Sequence, residues 1–349
     1  MEKKPKITVI IPCYNVERYI EGTLESLISQ TYSNIDIICL DDFSKDKTYE
    51  LIQKVAEKDS RIKCYQNEHN LGVVRTLNKL IDLSTSDYIL RMDSDDVFEC
   101  NRIEKMYEAM LKFDCDIVST EYSVIDEKGD FVKHKGLSLP SHSDSLKFVT
   151  MFNSPLPSQA LFNRRRIGEK MVYSDKYAVA EDYYMFVNLF SDESVMAYNV
   201  PKKLYRYRIN TDGLTNNNLV VMNEYHILIA REYIHNILRI DAESFDFWKL
   251  GKRMIDYSII SREALSKSLK QIKFLKDSFL DKYKVADREK KEIEYYYGQY
   301  LTYTYFCIFR DAFRQKALLK ILPVIMNDVV SNSKKLFTVK NFKWLWQNI

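Results

Sequence analysis

The sequence predicts an α/β fold: a mostly parallel open sheet with helices on both faces, followed by an all-helical region. Three observations predict it. Short apolar, β-branched runs alternate with helical stripes as far as residue 126. The first four runs each lead into a polar cluster, as strands do when a ligand binds beyond their carboxyl ends. Beyond about residue 216 the pattern turns helical, and a chain with only 8 Gly and 7 Pro has little to break long helices.

The first run, ITVII at 7–11, is continuous rather than alternating, which suits a strand buried on both faces. Pro12 is expected to stop it. A helix follows in VERYIEGTLESLISQ, with Ile20, Leu24, Leu27 and Ile28 on one stripe. IDIICLDD (35–42) reads as the second strand, and SKDKTYELIQKVAEKD as the second helix with Ser44 as its N-cap. RIKCYQN (61–67) is the third strand, and NLGVVRTLNKLIDLS a loop and a third helix. DYILRMDSDD is the fourth strand, NRIEKMYEAMLKF the fourth helix, and CDIVSTEYSVID (115–126) a further strand. Later, LVVMNEYHILIAREYIHNILRI, FWKLGKRMIDYSIISREALSKSL and EIEYYYGQYLTYTYFCIFRDAFRQKALLKIL read as long helices. The expected division is 1–215 and 216–349, with a polar linker at NTDGLTNNN (210–218).

Composition is that of a globular chain: 46% hydrophobic, 29% charged and 13% aromatic, with 25 Tyr. Net charge is +3, unevenly spread. Residues 1–215 hold 29 Lys+Arg against 34 Asp+Glu, and residues 216–349 hold 23 against 15. The basic second part suggests either an anionic partner or a charge-rich helical surface. The six Cys form no C-x-x-C pair, so neither a zinc site nor a redox motif is indicated, and a reducing cytoplasm is expected. The first apolar run is too short for a signal peptide, and no stretch approaches the roughly 20 apolar residues of a spanning helix.

No G-x-G-x-x-G and no G-x-x-x-x-G-K-[ST] follows the first strand, which disfavours a dinucleotide fold and a P-loop. The fourth strand instead ends in Asp93, Asp95 and Asp96. Crowded carboxylates repel one another. Either a turn needs them or something positive sits there, and Mg²⁺ often binds through one or two carboxylates plus substrate phosphates.

The stretch ITVIIPCYN…LESLISQTYSNIDIICLDDFSKDKT…NLGVVRTLN…DYILRMDSDD closely resembles the family 2 glycosyltransferases, which have the GT-A fold. Q-T-Y-x-N-I-D-I-I and D-D-x-S-x-D-x-T carry the match, densely over 6–100 and more loosely to 215. The resemblance implies a nucleotide pocket lined by Pro12, Tyr14 and Asn15, with Tyr14 stacking on the base. It implies that Asp42 reads the uracil N3–H, that Arg75 helps hold the uracil, that Asp93 touches the ribose, and that Asp95 holds Mn²⁺ or Mg²⁺ on the diphosphate. Asp46 and Thr48 are better explained by helix capping. Phe43 stands where the family has Gly, so a loop that needs positive φ there is strained.

On the acceptor side, Glu181 and Asp182 in YAVAEDYYMFVNLF resemble the E-D motif whose Asp is the general base of inverting members. Acidic residues also favour helix N-termini for purely structural reasons. KKLYRYRINTDGLT (202–215) resembles the Y-x-Y-R segment, with Arg206 or Arg208 facing the diphosphate and the loop to Thr215 closing over the donor. SPLPSQALFNRRRI (154–167) matches the region that positions sugar and acceptor, while Arg164, Arg165 and Arg166 read as surface or capping residues. The implied partners are a UDP-sugar donor and a glycan or lipid-linked acceptor, with no nucleic acid. Residues 310–349 carry eight Lys+Arg against two Asp+Glu, with Trp344 and Trp346 near the end. They suggest peripheral membrane contact on the inner face of the plasma membrane, a homo-oligomer interface, or packing on the chain itself. A non-catalytic nucleotide-sugar scaffold and a nucleotidyltransferase are the rival readings.

Overall fold

The computed structural model describes residues 4–133, 137–210, 218–252 and 254–336. The linker at 211–217, the loop to Thr215, and Trp344 and Trp346 lie outside the described residues. The chain forms two compact units: 1–134 with 154–226, and 135–153 with 227–349. A single division at 215 is therefore replaced by three crossings, because the stretch 135–153 belongs with the C-terminal helices.

The first unit holds β1 (Ile7–Cys13), α1 (Ile20–Ile28), β2 (Ile35–Asp41), α2 (Thr48–Ala56), β3 (Ile62–Gln66), α3 (Val73–Leu83), β4 (Tyr88–Arg91) and β5 (Val97–Phe98). Next come α4 (Arg102–Phe113), β6 (Ile117–Ile125), β7 (Phe131–Val132), β8 (Leu161–Asn163), α6 (Arg164–Ile167), α7 (Glu181–Phe190) and β9 (Ala197–Arg208). The sheet order is β3-β2-β1-β4-β8-β6-β9-β5, with β7 on β6. β3, β2, β1 and β4 are parallel, as is the long β6–β9 ladder, whereas β8 pairs antiparallel with both β4 and β6. Ile7, Val9, Ile11, Ile37, Cys39 and Leu90 pack with Leu24, Leu27, Ile52, Ile103 and Met106 of the helices into one core. Burying each large side chain contributes roughly 1.5–3 kcal/mol.

Pro12 does not end β1, which continues in register to Cys13 opposite Asp41. Met92 N–H donates to the Ile10 carbonyl, so the Ile10 and Pro12 main-chain groups face β4. The β1–β4 ladder stops at Ile10 and Arg91, so the N–H that Pro12 lacks has no partner strand there. Ser44 is not the N-cap of α2, which starts at Thr48. Its hydroxyl donates to Asp41 and accepts from Asn15 N–H instead.

The second unit contains α5 (Ser143–Thr150), α8 (Leu219–Leu238) from Ile227 onward, α9 (Phe247–Gly251), α10 (Arg262–Lys282), α11 (Asp287–Arg314) and α12 (Leu318–Leu336). Its core is aromatic. Phe148 of α5 meets Phe279 and Tyr296, and Phe152 meets Phe247 and Tyr300. The polar tips are paired: Trp248 Nε1 donates to the Met151 carbonyl at 3.0 Å, and Tyr233 hydroxyl to that of Lys147 at 3.1 Å. No described helix is long and apolar enough to cross a membrane.

Candidate active site

The polar ends of β1, β2 and β3 are tied into one rim. Asp42 N–H donates to the Cys13 carbonyl at 2.8 Å, and Asn15 Oδ1 accepts from Lys45 N–H at 2.8 Å. Asn15 has φ +51°, and the Tyr14 side chain stands out into solvent. Asp46 accepts from Thr48 N–H and from Glu17 N–H, and Thr48 Oγ1 accepts from Val16 N–H. These two residues therefore fasten the β1 and β2 loops at the start of α2. Phe43 does adopt positive φ, +62°, and Lys45 Nζ sits over its ring. The left-handed conformation costs a non-glycine residue about 1–2 kcal/mol.

Asp42 is buried, and its carboxylate already holds the β3–α3 loop. It accepts from Asn67 Nδ2, Leu71 N–H and Gly72 N–H, each at 2.8 Å. A carboxylate has about four acceptor directions, so one remains for a ligand N–H. Gly72, with φ +82°, makes the turn into α3 that a side chain would strain. Arg75 is exposed and pairs at 3.2 Å with Asp175, from a short turn of 3₁₀ helix at Asp175–Tyr177. Asn78, one turn further along α3, pairs its amide with both main-chain groups of Tyr173.

The carboxylates of the DSDD loop play different parts. Asp96 is fully buried and accepts from Arg208 N–H at 2.8 Å and from Gln159 Nε2 at 3.1 Å. Asp93 is half-buried, held by Arg91 Nε at 3.0 Å and by Gln159 Nε2. Asp95 is half-buried and has its carboxyl pushed up to about 6 by burial, then by the Asp93 charge. Thr23 of α1 anchors the loop through the Ser94 and Asp96 carbonyls. Something positive does sit beside these acids, in the protein itself. Arg91 lies under Asp93, and Arg102 is entirely buried, donating to Thr120 Oγ1 and the Gln159 carbonyl beneath the rings of Phe98 and Tyr205. Burial pushes the Arg102 guanidinium down to about 9.

Arg208 braces the same loop. Its Nε donates to the Asp95 carbonyl at 2.7 Å and its Nη1 to those of Asp126 and Glu127 at 2.9 and 3.3 Å. Arg206 pairs with Glu99. Arg164 donates to the Ile81 and Ser84 carbonyls and Arg166 pairs with Asp114 and Asp116, so both hold structure, as the sequence reading expects.

Glu181 and Asp182 open α7. Glu181 accepts from Arg91 Nη2 at 3.0 Å. Burial pushes its carboxyl up to about 7, the Arg91 charge pulling it back and that of Asp182 adding to the rise. Burial also raises the Asp182 carboxyl, again with Arg91 opposing. One Asp182 oxygen accepts from Tyr183 N–H at 2.7 Å. Arg91 and Gln159 lie inside stretches that match the family, DYILRMDSDD and SPLPSQALFNRRRI, and Arg102 opens the fourth helix, but the sequence reading gives none of the three a role.

Residues 8–176 match the family model described as glycosyl transferase family 2. The chain carries a family 2 glycosyltransferase domain. Among its relatives, an uncharacterized glycosyltransferase of Haemophilus influenzae is 28% identical over 313 residues, covering 82% of this chain and 90% of that one. The UDP-Glc:alpha-D-GlcNAc-diphosphoundecaprenol beta-1,3-glucosyltransferase WfgD of Escherichia coli is 26% identical, covering 71% and 98%. S. aureus TarS 1–349, solved in complex with UDP-GlcNAc, superposes with TM-score 0.52 at 15% identity over 92% of this chain and 90% of that one. That likeness shows the fold, and the glycosyltransferase is of the GT-A type that its first strands predict.

In this glycosyltransferase the donor set fits a hard dication. No group of three or more His, Cys, Asp or Glu among the described residues forms a protein-only metal cage. Mg²⁺ and Mn²⁺ in nucleotide enzymes need less, since substrate oxygens complete the sphere. Asp95 is half-buried, burial and then the Asp93 charge raise its carboxyl, and its oxygen chemistry is that of a hard ligand.

Proposed function

We propose that this enzyme moves a sugar from a UDP-sugar to a hydroxyl of a glycan or lipid-linked saccharide, with inversion, in cell-surface polysaccharide synthesis. The observation that carries the reading is a shared cation: Arg91 touches both Asp93 of the DSDD loop and Glu181 of the E-D pair, 90 residues later in the chain. One cation thus joins the two carboxylate clusters, which supports reading them as parts of one site.

In this reading Tyr14 stacks on the uracil beside Pro12 and Asn15. Asp42 accepts the imide N–H at its one open position. Arg75 donates to a uracil carbonyl and exchanges its exposed pair with Asp175 for it. Asp93 accepts from the ribose. Asp95 holds Mn²⁺ or Mg²⁺, which when bound supplies Lewis-acid stabilisation of the diphosphate leaving group. Asp182 takes the proton of the attacking hydroxyl, and a raised carboxyl suits a base working near neutral pH. Arg208 keeps the Asp95 loop in place, and reaches the diphosphate only by releasing a carbonyl. WfgD's printed name joins a UDP-sugar to a diphosphoundecaprenol-linked acceptor, which supports the same pairing here.

The experiment is direct. The full chain is incubated with Mn²⁺ and a panel of UDP-sugars, with and without a polyprenyl-diphosphate saccharide, and UDP is measured. Acceptor-dependent UDP supports the reading. Pyrophosphate release identifies a nucleotidyltransferase, and binding of UDP without turnover identifies a scaffold.

The exposed apolar residues Leu319, Met326 and Val330 of α12 support a docking role for the C-terminal helices. Co-sedimentation with anionic liposomes, comparing the full chain with a Leu319→Ser, Met326→Ser, Val330→Ser variant, tests membrane contact. A smaller oligomer in the variant identifies an assembly surface instead.

A further inference from the structure

Between the DSDD carboxylates and the E-D pair stands a cation with no chemical step of its own in the proposed function. Arg91 closes β4, and its side chain is 6% exposed. Nε reaches Asp93 and Nη2 reaches Glu181, each at 3.0 Å. The Tyr173 ring lies 5.5 Å from the guanidinium carbon, and Tyr173 is itself clamped to α3 by Asn78. Nη1 is buried with no hydrogen-bond partner among the described residues. A buried cation with unused N–H groups is an expensive way to hold a fold, since an apolar side chain often does as well. The two-pronged fork is something no apolar side chain and no Lys can supply.

We propose that Arg91 is a positioning residue, a tether that locks the first turn of α7 to the DSDD loop through Glu181, so that Asp182 keeps a fixed place relative to the donor-binding carboxylates. This rests on the proposed function. It explains why α7 opens with two acids: Glu181 is the anchor, and Asp182 is the one left to react. The ionisable groups facing this pair are Arg91 and Asp93 from β4 and its loop and Tyr173 from the segment before α7, besides the two acids themselves. Arg91 is the cation among them and the largest influence opposing burial, so removing it lets both acids titrate higher.

The test uses the full chain labelled with ¹³C at glutamate carboxyls, with Glu181→Gln to identify the signal. Arg91→Met removes both prongs at similar length, and Arg91→Lys keeps the charge without the fork. In Arg91→Met the Glu181 titration moves up by about one pH unit or more, and the acid limb of kcat moves with it. In Arg91→Lys kcat for UDP release from UDP-glucose or UDP-GlcNAc with Mn²⁺ falls about tenfold or more, while the donor KM changes less than about threefold. An unmoved Glu181 titration in Arg91→Met, or a wild-type kcat in Arg91→Lys, overturns the tether. If Arg91→Met does not fold, Arg91→Lys decides on kcat alone. If the wild-type protein releases no UDP from any sugar nucleotide of the panel, with or without acceptor, the functional reading fails, and the glutamate titration still decides the tether.

Discussion

The main-chain N–H of Arg208 donates to the buried carboxylate of Asp96 at 2.8 Å, joining the last strand of the sheet unit to the DSDD loop. The third acid of that loop is therefore structural, while Asp95, one residue earlier, is partly exposed and stands beside the like charge of Asp93. Asp96→Ala leaves the Arg208 N–H without its acceptor and lowers stability by about 1–3 kcal/mol. Asp95→Ala removes a repulsive charge and leaves Tm unchanged or higher, while abolishing Mn²⁺-dependent UDP binding. Thermal melts and calorimetry on the two variants check the contrast, and full activity of Asp95→Ala in EDTA would sink the metal assignment.

Asp182→Asn keeps size and removes basicity. It lowers kcat at least ~10²-fold and leaves UDP affinity nearly unchanged, because general-base contributions run about 10²–10⁴. Calorimetric titration with UDP and Mn²⁺ beside the rate assay checks this. If binding falls with rate, Asp182 is a structural acid.

Stability carries its own pH signature. Glu181 titrates near 4.5 unfolded and about 7 folded, because burial disfavours its charge. The folded state binds the proton more tightly, so this group's contribution is fully present below about 4.5 and is lost as pH rises to about 7. Asp95, raised from 3.8 to about 6, adds in the same sense. The expected result is a Tm that declines from pH 5 to 7.5, and declines less in Glu181→Gln. Equal slopes would show that Glu181 is not the buried acid described here.

Gln159 bridges Asp93 and Asp96 through one amide nitrogen. Gln159→Leu fills the same space and leaves two neighbouring carboxylates without their shared donor. Urea unfolding is expected to show a loss of about 1–3 kcal/mol, and donor KM to rise because Asp93 is no longer held.

How much of this was legible follows from the range of the signals. β1 to α4 could be read because each run is short, local and continuously apolar or periodic, and the D-D and D-x-D clusters mark strand ends. Phe43 was readable as a misfit at a glycine position, and the structure gives it the positive φ that makes it one. Pro12 misled, because whether a strand tolerates Pro depends on where its neighbour strand stops. Arg91 and Gln159 stand inside matched stretches and Arg102 in the fourth helix, yet none could be given a role, because their meaning lies in contacts with residues 18 to 90 positions away. The single cut at 215 had the same limit, since nothing local to 135–153 says that its partners are Phe279, Tyr296 and Trp248.

That excursion has a consequence for how the protein is made. α5 and Phe152 leave the ribosome well over a hundred residues ahead of the helices that hold Phe279 and Tyr296. During that interval Leu146, Phe148, Val149, Met151 and Phe152, all buried in the finished protein, have none of the partners in α10 and α11. The sheet unit, whose last residues come at 226, can assemble first, with this apolar loop waiting in its middle. A nascent chain stalled before residue 287 is thus expected to carry a chaperone-binding segment at 143–152, and release of that segment to coincide with the emergence of α11 rather than with closure of the sheet.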